Sequence, residues 1–227
     1  LLSVIIWSCS KDNLDPDNDP DDPIETEKPK QFNPATDNII IKHELRAAWL
    51  TTAYKLDWPA TATGADNQRN LLISLINNLK NLNINVIYFQ VMTSCEAFYP
   101  SQIFPWSAYI TGTQGQNPGY DPLAVAIEAA HSRGMELHAW INPLRVGSVS
   151  TNNVPTHPAV LYPNRYSVYN NVRYWNAGLP EVRTFLQNAV KELINNYDID
   201  GVHFDDYFYP DGLKSTPGTW DDAAAYA

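Results

Sequence analysis

From about residue 42 the chain alternates between two hydrophobic patterns, and the connections between them are lopsided. Apolar runs of strand length occupy His43–Thr51, Ile84–Val91, Met135–Ile141 and Ile199–Asp205. Between them lie stretches with helical spacing at Asp66–Leu79, Asp121–Arg133 and Pro180–Tyr197. The first carries Leu71, Leu72, Leu75, Ile76 and Leu79 on one stripe, with Asp66 placed to cap its start. Gly134 stops the second, and Pro180 occupies the first turn of the third. Helix-to-strand turns are short, whereas the strand-to-helix segments 92–120 and 142–178 are long. In a (β/α)8 barrel the short turns close one end and the long loops build the active site at the other. A doubly wound sheet also alternates, but it carries a glycine-rich phosphate turn after its first strand. Thr51-Thr52-Ala53-Tyr54 stands there instead. The expected fold class is α/β, a (β/α)8 TIM barrel, with residues 42–227 supplying only the first four or so βα units. The sequence stops at DDAAAYA, within a helical pattern, so a truncated chain is expected.

What precedes the barrel reads differently. An apolar run, Leu1–Trp7, leads into Ile6-Trp7-Ser8-Cys9, which resembles the lipobox of a bacterial lipoprotein signal peptide. Residues 1–9 are expected to be the end of that signal, with lipid on Cys9. Residues 10–41 are rich in Pro and Asp and have too little apolar surface to fold, as a hydrated tether requires. Much of the net charge of −10 belongs here, since residues 11–27 hold eight carboxylates against Lys11. The remainder has no basic stripe that would track a phosphate backbone, so nucleic acid is not an expected partner. The expected setting is the bacterial cell envelope, at the outer membrane or cell surface, with the membrane engaged through the anchor on Cys9.

Chemistry concentrates at the strand ends. In GVHFDDYFYP (201–210), Gly201, His203 and Asp205 share one strand face by the period of two. Asp205 and Asp206 are adjacent and point apart in a regular strand; either is a candidate catalytic carboxylate, and the pair also suits a helix cap. In ELHAWINPLR (136–145), His138, Trp140 and Asn142 alternate onto one face and Arg145 follows in the loop. Tyr88 and Gln90 share a face of the second strand, and Arg46 is an ion on the first. Polar groups inside a barrel are costly unless satisfied, so each serves either a structural hydrogen bond or a substrate. The seven tryptophans and thirteen tyrosines suit both a core and the stacking of sugar rings, for which Trp140, Trp106 and Tyr207 are candidates. The five histidines form no H-x-H or H-E-x-x-H pair, so no metal is expected. Cys95 is a lone loop thiol, and no G-x-S-x-G elbow or Walker loop is present.

The stretches LRAAWLTT (45–52), FPWSAYITGTQGQNPGYDPLAVAIEAAHSRGMELHAWINPLRV (104–146), NAGLPEVRTFL (176–186) and YDIDGVHFDDYFYP (197–210) resemble glycosyl-hydrolase-like family 10. Its members are bacterial envelope proteins, often lipoproteins, with a (β/α)8 catalytic barrel. The resemblance implies glycosidase chemistry on a polysaccharide, without a cofactor, and a branch of the family acts on peptidoglycan strands stripped of stem peptides. GVHFD is also similar to the G-x-R-x-D of the α-amylase superfamily, whose aspartate is the nucleophile, with His203 in the arginine's place. The chain departs from its family at Met92, Thr93 and Glu96, where Arg, Pro and Asp are usual. Glycoside hydrolysis needs two carboxyl groups. Asp205 is the expected nucleophile or electrostatic partner, with Asp206 as the alternative; His203, His138, Asn142, Gln90, Arg46 and Arg145 are expected to bind or orient substrate. The general acid is expected on a later strand, beyond residue 227. A surface glycan-binding lipoprotein without catalysis is the alternative reading.

Overall fold

The computed structural model describes residues 44–205 and residue 208. The expectations placed on Cys9, the tether, Asp206 and Tyr207 lie outside these residues.

Four parallel strands form the frame: β1 (Ala47–Leu50), β2 (Val86–Thr93), β4 (Glu136–Ile141) and β8 (Gly201–Phe204), hydrogen-bonded in that order. Helices α1 (Ala65–Asn81), α3 (Pro122–His131) and α5 (Pro180–Asn196) join them in turn. Each new strand adds beside the last and the order never reverses, which distinguishes this sheet from a doubly wound one. It is the βαβαβαβ progression of a partial (β/α)8 barrel.

The period of two divides the sheet into faces of opposite character. Leu50, Ile87, Phe89, Val91, Leu137, Ala139 and Ile141 are buried against Leu72 and Ile76 of α1, Leu123 and Ala126 of α3, and Val182 and Leu193 of α5. Each of the larger side chains among them contributes about 2 kcal/mol on leaving water. The other face carries Trp49, Tyr88, His138, Trp140 and His203, packed ring against ring. Trp49 lies 4.9 Å from Tyr88, 4.6 Å from Trp140 and 4.3 Å from His203, while His203 stacks on Tyr88 at 4.6 Å. Gly201 is required by this layer. A Cβ there would meet His138 Nδ1 at 2.5 Å, so the histidine ring occupies the space of the missing side chain.

At the N-terminal end of the sheet, Asp200 Oδ2 accepts from Leu137 N at 2.8 Å and contacts His131 Nε2 at 2.8 Å. Arg46 belongs to the same end. Its backbone N–H donates to Asn85 Oδ1 and its side chain to the carbonyl of Asn83. Asp66 does not cap α1, whose N-cap is Gly64. It pairs instead with Arg69 at 2.9 Å.

Both long loops carry structure that the strand–helix alternation did not reveal. The first holds β3 (Glu96–Ala97), hairpinned onto β2, and the short helix α2 (Ala108–Thr111). The second holds β5 (Arg145–Ser148), the short helix α4 (Pro158–Leu161), β6 (Tyr166–Tyr169) and β7 (Val172–Trp175); its strands make an antiparallel sheet in the order β5-β7-β6. Glu192 of α5 ties the first loop to the helical layer by accepting from Tyr99, Ser101 and the backbone of Gln102.

Candidate active site at the strand ends

A cavity of about 390 Å³ opens at the C-terminal ends of the parallel strands, and all four strand ends line it. Thr51, Tyr54 and Leu56 follow β1; Gln90, Thr93 and Ser94 come from β2 and its turn; Trp140, Asn142 and Arg145 follow from β4; Asp205 comes from the end of β8.

Beneath the cavity runs a chain of amides that laces the strand ends together. Gln90 Oε1 accepts from Thr52 N at 2.9 Å and Ala53 N at 2.8 Å, and Gln90 Nε2 donates to Asn142 Oδ1 at 2.6 Å. Asn142 Nδ2 in turn donates to the backbone carbonyl of Asp205 at 3.0 Å. Gln90 and Asn142 are 3% and 5% exposed, so these bonds replace water that neither amide can reach. Both residues, expected to bind or orient substrate, line the cavity, and their amides also hold the backbone at Thr52, Ala53 and Asp205.

Asp205 is the one carboxylate among the described residues that lines the cavity. Its backbone is fixed by Asn142 and by the donation of its N–H to Ile141 O at 3.3 Å. Among the described residues none hydrogen-bonds its carboxylate, and the residue is exposed. His203 and His138 lie in the aromatic layer beneath, not on the cavity wall. Burial lowers the pKa of the His203 imidazole; Asp205 pulls it up and His138 pushes it down. Trp140 reaches the cavity but is only 7% exposed, so an open ring face for stacking is not available on it. Its indole N–H is buried without a hydrogen-bond partner among the described residues.

Arg145 lines the cavity with its guanidinium 5.5 Å from the ring centre of Tyr174. Trp106 does not line it: it bridges to Ala97 and packs against the core. Arg46 does not line it either: it precedes the N-terminal end of β1, whereas the cavity opens at the C-terminal ends. Among the described residues no group of three or more His, Cys, Asp or Glu is arranged to hold a metal.

The stretch that departs from the family pattern forms the cavity's second rim. Ser94 and Cys95 both have positive φ, 51° and 57°, and close a two-residue hairpin between Thr93 and Glu96. Glu96 organises the loop beyond, accepting from Ala108 N at 2.9 Å and Gln114 Nε2 at 2.6 Å. Cys95 is buried, which pushes its thiol pKa up to about 12 and makes it a poor nucleophile.

His157 pins this turn. Its Nε2 faces the Ser94 carbonyl at 3.0 Å, and its Nδ1 accepts from Ala159 N at 3.0 Å. Both bonds require the neutral ring protonated on Nε2. Burial lowers its pKa below the usual 6.5, so the unfolded chain takes up the proton first. Stability tied to His157 is therefore complete above about pH 6.5 and is lost as pH falls through the folded value. The denaturant midpoint is expected to drop more between pH 7.5 and 5 in the parent than in His157→Gln, whose amide keeps both bonds without titrating. Equal drops would show that the ring does not titrate with folding.

A family model described as Glycosyl hydrolase-like 10 matches residues 44–226. The chain is 41% identical over 177 residues to the glycosyl hydrolase YngK of Bacillus subtilis, covering 76% of this chain and 35% of that protein. It is 38% identical over 191 residues to the glycosyl hydrolase DigH of Escherichia coli strain K12, covering 75% of this chain and 43% of that one. The chain thus spans well under half the length of these relatives. Among solved structures, an α-L-fucosidase isoenzyme 2 from Paenibacillus thiaminolyticus aligns over 72% of this chain and 24% of its own, at 15% identity and a TM-score of 0.49.

Proposed function

Because the chain belongs to the glycosyl hydrolase-like 10 family, we propose that the protein it comes from hydrolyses glycosidic bonds in a cell-envelope polysaccharide, with stem-peptide-free peptidoglycan strands as the leading substrate. The observation that carries this reading is the meeting of all four described strand ends at one cavity, with the Asp205 carboxylate on its wall. A barrel enzyme places its chemistry there. Asp205 serves as nucleophile or as the charge that stabilises an oxocarbenium-like transition state, with Asp206 as the alternative. The reaction also needs a second carboxyl group, which is not among the described residues that line the cavity. Arg145 binds substrate hydroxyls or an anionic substituent at the rim. No cofactor takes part.

The test is to incubate the full-length protein with three substrates: peptide-free glycan strands, intact peptidoglycan and an α-glucan. New reducing ends are expected from the first and few from the second, where stem peptides crowd the strand. Release only from the α-glucan would overturn the proposed substrate, and release from none would overturn hydrolysis. The single carboxylate on the described wall favours a second reading, a glycan-binding protein without catalysis; binding without release on the same panel is its signature.

The apolar run ending at Cys9 supports a lipid anchor, with the acidic segment 10–41 as tether. Two or three acyl chains hold a protein at a membrane stably, whereas one is marginal. The Cys9→Ser variant of the full-length gene is expected to move from the membrane fraction to the soluble one. Retention as firm as the parent's would contradict the anchor.

A further inference from the structure

One wall of the cavity is aromatic and open, and the carboxylate chemistry leaves it unexplained. Tyr54 is 76% exposed and Leu56 70% exposed, although both are large and apolar and both line the cavity. Tyr54 also has φ 55° and ψ 14°, and Lys55 follows with φ 58°. L residues reach this left-handed region only at a cost, and glycine or asparagine is the usual occupant where a turn alone is needed. Here the cost falls on a tyrosine that gains no burial from it.

The turn is nevertheless held on every side. Ala53 N donates to Gln90, Thr51 N donates to the Asp57 carboxylate at 2.8 Å, and the N–H groups of Lys55 and Leu56 return to Thr52 and Ala53. Tyr109 of α2 lies beside the ring, with centroids 6.0 Å apart and planes 53° apart. Strain that is maintained by several independent contacts beside a functional cavity marks a position held for a ligand. A rigid, exposed ring on the wall of a glycan cavity matches the apolar C–H face of a sugar.

We propose that Tyr54 is the stacking platform of a sugar-binding subsite, receiving one pyranose ring of the glycan beside the bond at Asp205. This rests on the glycosidase reading and adds the residue that positions the chain. Of the rings expected to stack, Trp140 is 7% exposed and Trp106 does not line the cavity, whereas Tyr54 is exposed on its wall.

The test measures binding of chitohexaose and maltohexaose to the full-length protein in an Asp205→Asn background, where bound glycan is not consumed. Tyr54→Phe keeps the ring and is expected to bind within twofold of its parent. Tyr54→Gly removes the ring and suits the left-handed backbone. It is expected to bind about tenfold more weakly, about 1.4 kcal/mol, while its melting temperature stays the same or rises. Weaker binding without loss of stability separates a platform from a structural residue. Undiminished affinity in Tyr54→Gly, or an equal loss in Tyr54→Phe, overturns the platform; glycan cleavage by the protein with Asp205 intact would then leave the glycosidase reading standing. If the protein with Asp205 intact neither binds nor cleaves any glycan, both fall together.

Discussion

Replacing Gln90 by leucine is expected to destabilise the protein by about 3 kcal/mol, with the loss centred on the cavity rather than the core. The shape is nearly conserved, so the helix-facing packing is untouched. What disappears is a set of buried partners. Thr52 N and Ala53 N lose their acceptor, and Asn142 Oδ1 loses its donor. Each stranded group costs roughly 1–3 kcal/mol when water cannot reach it. Asn142 also fixes the Asp205 backbone and Ala53 anchors the turn that carries Tyr54, so turnover should fall together with stability. Gln90→Glu provides the control. Protonated, it keeps an acceptor for both backbone N–H groups and an O–H donor toward Asn142, so at low pH it should sit between parent and Gln90→Leu; ionised, it sets an oxygen against Asn142 Oδ1 and loses that advantage. Denaturant midpoints for the three proteins decide this. If Gln90→Leu is as stable as the parent, the amide chain is ornamental and the supporting role assigned to it is wrong.

Much of the frame was legible because period and loop length are local properties. The strand faces in particular follow from alternation: the pairs His138–Gly201 and Trp140–His203 stand in register on one side of the sheet. Alternation could not say whether Gln90 and Asn142 bond to each other or to substrate, since that depends on residues 52 positions apart. Arg46 was misplaced because a charge at the edge of an apolar run looks like part of the strand, whereas β1 begins only at Ala47.

The hairpin Tyr166–Trp175 was readable in principle. Asn170 and Asn171, with φ 47° and 64°, are typical of a two-residue turn between alternating strands. By contrast, Ser94-Cys95 makes the same kind of turn without Gly or Asn, held by the contact of Ser94 with His157 and the burial of Cys95 against Arg145 O. Tyr54 was invisible for a related reason: the contacts around its turn come from Gln90 of β2, Asp57 and Tyr109 of α2, which are far apart in the sequence.

Asp205→Asn carries the largest expected functional effect. The variant keeps the volume of the side chain, and the bonds that fix the residue run through its backbone, so folding should survive. It removes the negative charge from the cavity wall, where the proposed reaction would develop positive charge on the sugar ring. Preorganised electrostatic groups of this kind are worth on the order of a hundredfold or more in kcat. The direct measurement is the turnover of parent, Asp205→Asn and Asp206→Asn on the glycan that the full-length parent cleaves, with melting temperatures measured in parallel. The account predicts that Asp205→Asn loses at least about a hundredfold in kcat at unchanged stability, with a smaller loss in Asp206→Asn. A larger loss in Asp206→Asn would reverse the assignment between the two neighbours, and near-parental turnover in both would contradict a catalytic role for the end of this strand.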